Sequence, residues 1–149
     1  MNRTIKFRGK RIDNGEWVYG DLLQPTEICD IYEIANCESI DGTRYEVISE
    51  TIGQFTGLYD NTKKEIYEND IVTGIEYPFI DEGKQNYIGI VIFYDDVAQF
   101  GYEYKCIRKD KRGISNGINN EFEANEDLIC ETLEIIGNIT DNPELLGGK

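Results

Sequence analysis

The stretch YIGIVIFY at positions 87–94 is a nearly continuous apolar run. Its length and its β-branched isoleucine and valine residues are typical of a β-strand that is buried on both faces. A strand of this kind lies inside a sheet, with neighbours on either side. We therefore expect residues 87–94 to form the centre of the second half of the fold.

The residues that follow continue the β pattern. In residues 97–107, Phe100, Tyr102 and Tyr104 occupy alternate positions, which places them on one face of a strand. Residues 133–139 predict another strand, with apolar side chains at both odd and even positions and therefore on both faces. Between these two strands, residues 123–131 predict a short acidic helix.

The segment before the central run is the most characteristic of the chain. A polar turn at Glu68, Asn69 and Asp70 directly precedes the β-branched pair Ile71 and Val72, as in many SH3-like barrels at the entry to a strand. Further upstream, residues 45–49 and 53–59 predict strands. Residues 28–34 fit either a strand or a short irregular helix.

The chain opens with the pattern of a β-hairpin. Residues 4–7 alternate polar and apolar side chains, residues 13–15 read Asp-Asn-Gly, and residues 16–19 are rich in aromatic and β-branched side chains. The register stays open, because Lys10 and Arg11 belong either to the strand or to the loop.

These elements predict a mainly β fold, a β-rich α+β class with few short helices. Antiparallel strands would form one or two small, partly open SH3-like barrels. The 149 residues suit one domain, and a subdomain border would fall near residues 60–65. It would separate a hairpin-rich part, residues 1–60, from a barrel at residues 65–140, followed by a tail at residues 141–149.

Composition points to a folded cytoplasmic protein that is acidic and does not engage membranes. With 29 acidic and 15 basic residues the net charge is −14, which disfavours binding to nucleic acid or anionic lipid. No apolar run approaches the length of a membrane span. The four cysteines form no CxxC pair and there is no histidine, so we expect reduced thiols.

The sequence favours a protein without catalytic activity. Histidine, the commonest general base and metal ligand, is absent, and there is no phosphate-binding loop. The carboxylate pairs Asp95–Asp96 and Glu68–Asp70 are the best candidates for a divalent metal, but 29 acidic residues make such pairs frequent. We therefore expect no cofactor and no resident metal.

One group of residues fits nucleic-acid binding. Bases would stack on Trp17 and Tyr19 while Arg8, Lys10 and Arg11 meet phosphates. In the competing interpretation the rings belong to the core and the cations lie over an acidic body. The same cations would also pair with the acidic surface of a second copy.

Several blocks of the sequence resemble the YopX family of proteins encoded by phages and prophages of bacteria. The blocks lie in one order along the chain, at residues 5–10, 15–20, 52–60, 65–72, 91–94, 133–139 and 142–146. The resemblance implies a β-rich, barrel-like fold and expression in the bacterial cytoplasm. It implies no activity and no functional residue.

Taken together, these patterns favour a phage-encoded interaction module that is not an enzyme. Its partner would be a second copy of the chain or another protein of the host or phage. The alternatives are a nucleic-acid-binding accessory protein, which would use the basic opening hairpin, and an acidic mimic of nucleic acid that acts on a host protein.

Overall fold

The structure is a computed structural model that describes residues 4–36, 38–74, 87–106, 116–120, 122 and 124–146. Within these ranges the chain forms eleven β-strands and two short 3-10 helices. The strands are β1 (Phe7–Lys10), β2 (Trp17–Leu23), β3 (Tyr32–Ala35), β4 (Arg44–Val47), β5 (Gly53–Tyr59), β6 (Glu65–Tyr67), β7 (Asp70–Thr73), β8 (Tyr87–Tyr94), β9 (Gln99–Cys106), β10 (Asn116–Asn120) and β11 (Glu134–Asn138).

The strands form two antiparallel sheets, ordered β4-β3-β2-β1-β5-β6 and β10-β9-β8-β7-β11. The predicted mainly β fold is confirmed, although neither sheet closes into a barrel. The 3-10 helices, Ser49–Thr51 and Pro143–Leu146, are the only helices among the described residues. By contacts the chain divides into two compact units, Met1–Gly57 and Leu58–Lys149.

The first unit is built on the opening hairpin. Phe7 pairs with Gly20 and Lys10 with Trp17, so Lys10 belongs to the strand and the loop spans residues 11–16. The ends of β1 and β4 lie next to each other. There the N–H of Ile48, which follows β4, donates to the carbonyl of Lys10 at 2.9 Å.

The core of the first unit lies beside Gly9 of β1. Ile34 and Val47 are fully buried there, and both pack against Gly9. A Cβ added at Gly9 would lie 3.1 Å from the Cβ of Val47 and 3.2 Å from Ile34, so a side chain at this position would crowd the core. The observed strand β3 begins only at Tyr32, and Ile28 lies in the preceding loop, fully exposed.

In the second unit, the predicted central strand is confirmed. The run at 87–94 is β8, the middle strand of the five-stranded sheet. The expectation that it is buried on both faces is only partly correct, because Val91 on one face is fully buried, whereas Ile90 and Ile92 on the other face are only partly buried. The core around Val91 contains Ile66, Val72, Cys130 and Leu133.

The helix predicted at residues 123–131 does not form. Residues 124–131 consist of turns and a single β-bridge, and residue 123 lies outside the described residues. The cause is Asn125, whose side-chain oxygen accepts hydrogen bonds from the N–H groups of Asp127 and Ile129 at 2.9 and 3.1 Å. A side chain that takes these donors offers the backbone an alternative to the helix.

The turn predicted at Glu68, Asn69 and Asp70 is confirmed for its first two residues. Glu68 and Asn69 form the turn and the strand begins at Asp70. Asn69 has a left-handed backbone with φ of 70°, a conformation that asparagine tolerates well. Its N–H donates to the carbonyl of Val91 at 2.8 Å and its carbonyl accepts from Ile139 at 2.9 Å, so the turn is fixed from both sides.

Candidate functional site

Four of the five residues predicted as a nucleic-acid site lie together on one face of the opening hairpin. Lys10 is directly opposite Trp17, and Arg8 is directly opposite Tyr19. Residues that face each other across an antiparallel pair share one side of the sheet. We call these four residues, Arg8, Lys10, Trp17 and Tyr19, the cation–aromatic face.

Within the cation–aromatic face, both cations lie over the same ring. The guanidinium of Arg8 is 4.8 Å from the ring centroid of Trp17, and the Nζ atom of Lys10 is 5.6 Å from it. Distances of this size are typical of cation–π interactions. The cations therefore order the Trp17 side chain.

The members of this face differ in how much of them solvent can reach. Arg8 is only 7% exposed, whereas Tyr19 is 45% exposed and Trp17 and Lys10 are half-buried. A binding partner would therefore meet mainly Tyr19, and Trp17 and Lys10 only in part. Arg8 contacts the Trp17 ring and is itself almost inaccessible to solvent.

The fifth predicted residue, Arg11, is not part of this group. Its position along β1 has the opposite parity to Arg8 and Lys10, and it forms a β-bridge with Val47. Its guanidinium lies 4.3 Å from the ring of Tyr45 and donates to the carboxylate of Asp13. This hydrogen bond raises the pKa of Arg11 and lowers the pKa of Asp13.

Arg11 borders a separate cleft of about 420 Å³ in the first unit. The residues that line it carry both signs of charge: Arg11, Ile12, Asp13, Glu33, Arg44, Tyr45 and Glu46. Glu33 and Glu46 face each other directly across β3 and β4. Nothing in this mixed lining selects a ligand of one charge.

The two carboxylate pairs considered for a metal lie in different surroundings. Asp70 is buried and its Oδ2 accepts a hydrogen bond of 2.8 Å from the N–H of Tyr67. Asp95 and Asp96 are exposed in the turn between β8 and β9. In the described parts of the chain, no group of three or more histidine, cysteine or acidic side chains is placed to hold a metal ion.

A buried carboxylate that the sequence did not single out organises the second unit. Asp60 is fully buried. Its Oδ1 accepts hydrogen bonds from the N–H and hydroxyl of Thr62 and the N–H of Lys64, and its Oδ2 accepts from the N–H of Ile135 at 3.0 Å. Burial by itself would raise the pKa of Asp60, but these hydrogen bonds outweigh it and the pKa is lowered.

Cys130 lies in the core beside this carboxylate. Burial raises the pKa of the Cys130 thiol to about 11, and the negative charge of Asp60 adds to the effect. A thiol with this pKa is protonated at neutral pH and is a poor nucleophile or metal ligand. Both residues therefore stabilise the fold and neither has the properties of a reactive group.

A second feature that the sequence analysis missed is the loop formed by residues 125–131, which we call the Leu128 loop. Leu128 has a left-handed backbone with φ of 64° and is 49% exposed. The signal for this loop was Asn125, whose tendency to bond nearby backbone N–H groups favours a turn.

Across the described residues, no helix is long and apolar enough to cross a bilayer.

The chain is similar in fold to a protein of known structure, and a family model matches its sequence. Protein EF1440 from Enterococcus faecalis, whose crystal structure is known, is similar with a TM-score of 0.50 and 20% sequence identity, over 97% of this chain and 99% of that one. At this identity the likeness concerns the fold alone. The chain matches no curated protein. The family model described as YopX protein matches residues 6–147, which is nearly the whole chain, and the chain therefore belongs to the YopX family.

Proposed function

We propose that this chain is a protein-binding module without catalytic activity, and that its first partner is a second copy of itself in the bacterial cytoplasm. The observation that carries the proposal is the cation–aromatic face. Tryptophan, tyrosine and arginine are the residue types that dominate the energetic centres of protein interfaces. Here they stand side by side on one sheet face, with Tyr19 45% exposed.

The side chains of the cation–aromatic face are held in place before any partner arrives, and this favours binding. Arg8 and Lys10 hold the Trp17 ring from distances of 4.8 and 5.6 Å, so a partner does not need to immobilise it. Side chains that are ordered before binding reduce the entropy lost on association.

The charge of the face indicates the chemistry of its partner. Lys10 and Arg8 favour a surface that carries carboxylates beside apolar groups. The chain itself has 29 acidic residues and a net charge of −14, so a second copy offers such a surface. This contact would join two different surfaces of the two copies.

Nucleic-acid binding has less support from the same geometry. Two cations already lie over the Trp17 ring, and that ring is the one on which a base would stack. Arg11, which would extend the phosphate-binding row, lies on the other side of the sheet and is paired with Asp13.

The test is self-association of the full chain, measured by sedimentation velocity over a range of concentrations after nuclease treatment. We expect an oligomer that weakens in Tyr19→Ala and Lys10→Glu. Lys64→Glu is the matched control, since Lys64 is exposed in a turn of the second unit and the change in net charge is the same.

Two results would contradict the proposal. One is a monomer at every concentration. The other is salt-dependent binding to labelled single-stranded DNA that disappears in Lys10→Glu, which would assign the face to nucleic acid instead.

A further inference from the structure

The Leu128 loop is held in one conformation by its own hydrogen bonds. Besides the two bonds to the Asn125 side chain, the N–H of Asn125 donates to the carbonyl of Ile129 at 2.9 Å, and the N–H of Leu128 donates to the carbonyl of Asn125 at 3.0 Å. The Nδ2 atom of Asn125 also donates to Glu131 at 3.0 Å. The position of Leu128 is therefore determined by the loop.

The same loop is attached to the end of β5. The N–H of Tyr59 donates to the carbonyl of Leu128 at 2.9 Å, and the carbonyl of Tyr59 accepts from Cys130 at 2.7 Å. Cys130 is fully buried in the core. The loop thus presents Leu128 from a rigid base.

Leucine is an unusual choice at this position, as a comparison with the other described residues shows. Four described non-glycine residues have a positive φ, namely Lys63, Asn69, Ala98 and Leu128, and of these Leu128 alone is large and apolar. The left-handed conformation strains such a residue, and a side chain that is 49% exposed recovers only part of that cost through burial. Strain that is only partly offset inside the fold points to a role in binding.

The surroundings of Leu128 indicate what it would bind. Glu126, Asp127 and Glu131 are all exposed, and residues 125–131 contain no cation. The loop therefore presents one apolar side chain among carboxylates. The cation–aromatic face has the complementary composition, with the exposed ring of Tyr19 beside Lys10 and Arg8.

We propose that the Leu128 loop of one copy docks on the cation–aromatic face of a second copy, with Leu128 against Tyr19 and Trp17 and the loop carboxylates near Lys10. This inference rests on the proposed function, because it names the surface that the face recognises. Each copy carries both surfaces, so a pair of copies joined in this way leaves one of each surface unused.

The first experiment is self-association of the full chain carrying Leu128→Asn, again by sedimentation velocity. Asparagine adopts the left-handed conformation readily, so we expect the thermal midpoint of unfolding to stay the same or rise. We expect association to weaken at least about tenfold, the effect of losing a buried leucine contact. Lys63→Asn is the matched control, since Lys63 has a φ of 67° and is exposed, and it should leave association unchanged.

The second experiment mixes two variants that are each defective in association. Lys10→Glu copies keep an intact loop and Leu128→Asn copies keep an intact face, so an equimolar mixture should form heterodimers that grow no further. If two identical faces met instead, the mixture would not recover. Combining Lys10→Glu with Asp127→Lys in one chain should restore part of the association.

The outcomes separate this inference from the proposed function. If Tyr19→Ala disrupts association while Leu128→Asn does not, the face binds a different surface of the second copy and the present inference is overturned. If the unmodified chain is monomeric throughout, both proposals are overturned together.

Discussion

The carboxylate of Asp60 and the backbone N–H of Ile135, which lie 75 positions apart in the sequence, are joined by a hydrogen bond of 3.0 Å. The donor belongs to β11, a strand at the edge of the second sheet. Next to it, the carbonyl of Leu133 accepts from the N–H of Asn61 at 2.8 Å. The turn after β5 therefore covers part of an edge that would otherwise be open to pairing with another chain.

Replacing Asp60 by asparagine should destabilise the protein. The amide would turn an NH2 group towards N–H donors on one side of the residue and leave at least one of them unsatisfied. We expect Asp60→Asn to lower the free energy of unfolding by about 2–3 kcal/mol, measured by urea denaturation. Asp96→Asn, at an exposed turn position, should change it by less than about 0.5 kcal/mol.

The same carboxylate should make stability depend on pH. The pKa of Asp60 is lowered in the folded protein below its ordinary value of 3.8. Its charged form is therefore favoured by folding, and the stabilisation is complete above the ordinary pKa and is lost as the pH falls through the folded pKa. The difference in unfolding free energy between the unmodified chain and Asp60→Asn should shrink below about pH 4; a constant difference would contradict this.

The cysteines should differ in reactivity. Cys29 is exposed, whereas Cys130 is buried with a pKa raised to about 11. Because the thiolate is the reacting form, iodoacetamide at pH 8 should label Cys29 in the folded protein and Cys130 only after addition of denaturant. Peptide mapping by mass spectrometry identifies the labelled sites, and early labelling of Cys130 would mean that the core opens readily.

Gly74 should tolerate no side chain. Its φ is 84°, and an added Cβ would lie 1.9 Å from the carbonyl oxygen of Thr132. We expect Gly74→Ala to cost about 3 kcal/mol or to prevent folding. At Gly42, φ is 59° but the space is open, so Gly42→Ala should cost only about 1 kcal/mol. Thermal unfolding of the two variants measures the difference.

Arg8 should not be replaceable by lysine. A planar guanidinium stacks on an aromatic face in a way that an ammonium group does not, and Arg8 is 7% exposed over Trp17. We expect Arg8→Lys to cost about 1–2 kcal/mol and to shift the emission of Trp17, the single tryptophan of the chain. Arg44→Lys, at an exposed position, should leave both stability and emission unchanged.

Much of the fold could be predicted from local patterns. The apolar run at 87–94 is the central strand, and the polar turn at Glu68 and Asn69 precedes β7. Both predictions rest on strand length, β-branched content and turn chemistry, which act over a few residues. The interaction of Asp60 with Ile135 joins residues 75 positions apart, and no local pattern predicts such a pair.

The candidate site was predicted less accurately, because the sequence does not show where the strand pairing of the opening hairpin ends. The grouping of Arg8, Lys10, Trp17 and Tyr19 follows from the alternation of side chains in the hairpin. Arg11 was added because it follows Lys10 in the sequence, yet adjacent residues in a strand point to opposite faces. Separating it required knowing that the strand pairing extends as far as residue 10.

The bond between Asp60 and Ile135 also bears on the synthesis of the protein. A chain leaves the ribosome from its first residue onwards, and its parts begin to fold in that order. Ile135 is made 75 positions after Asp60, and Leu133, whose carbonyl accepts from the N–H of Asn61, is made only shortly before Ile135. Until both have emerged, the carboxylate that becomes buried must remain hydrated, and the second unit completes its fold only when β11 has emerged.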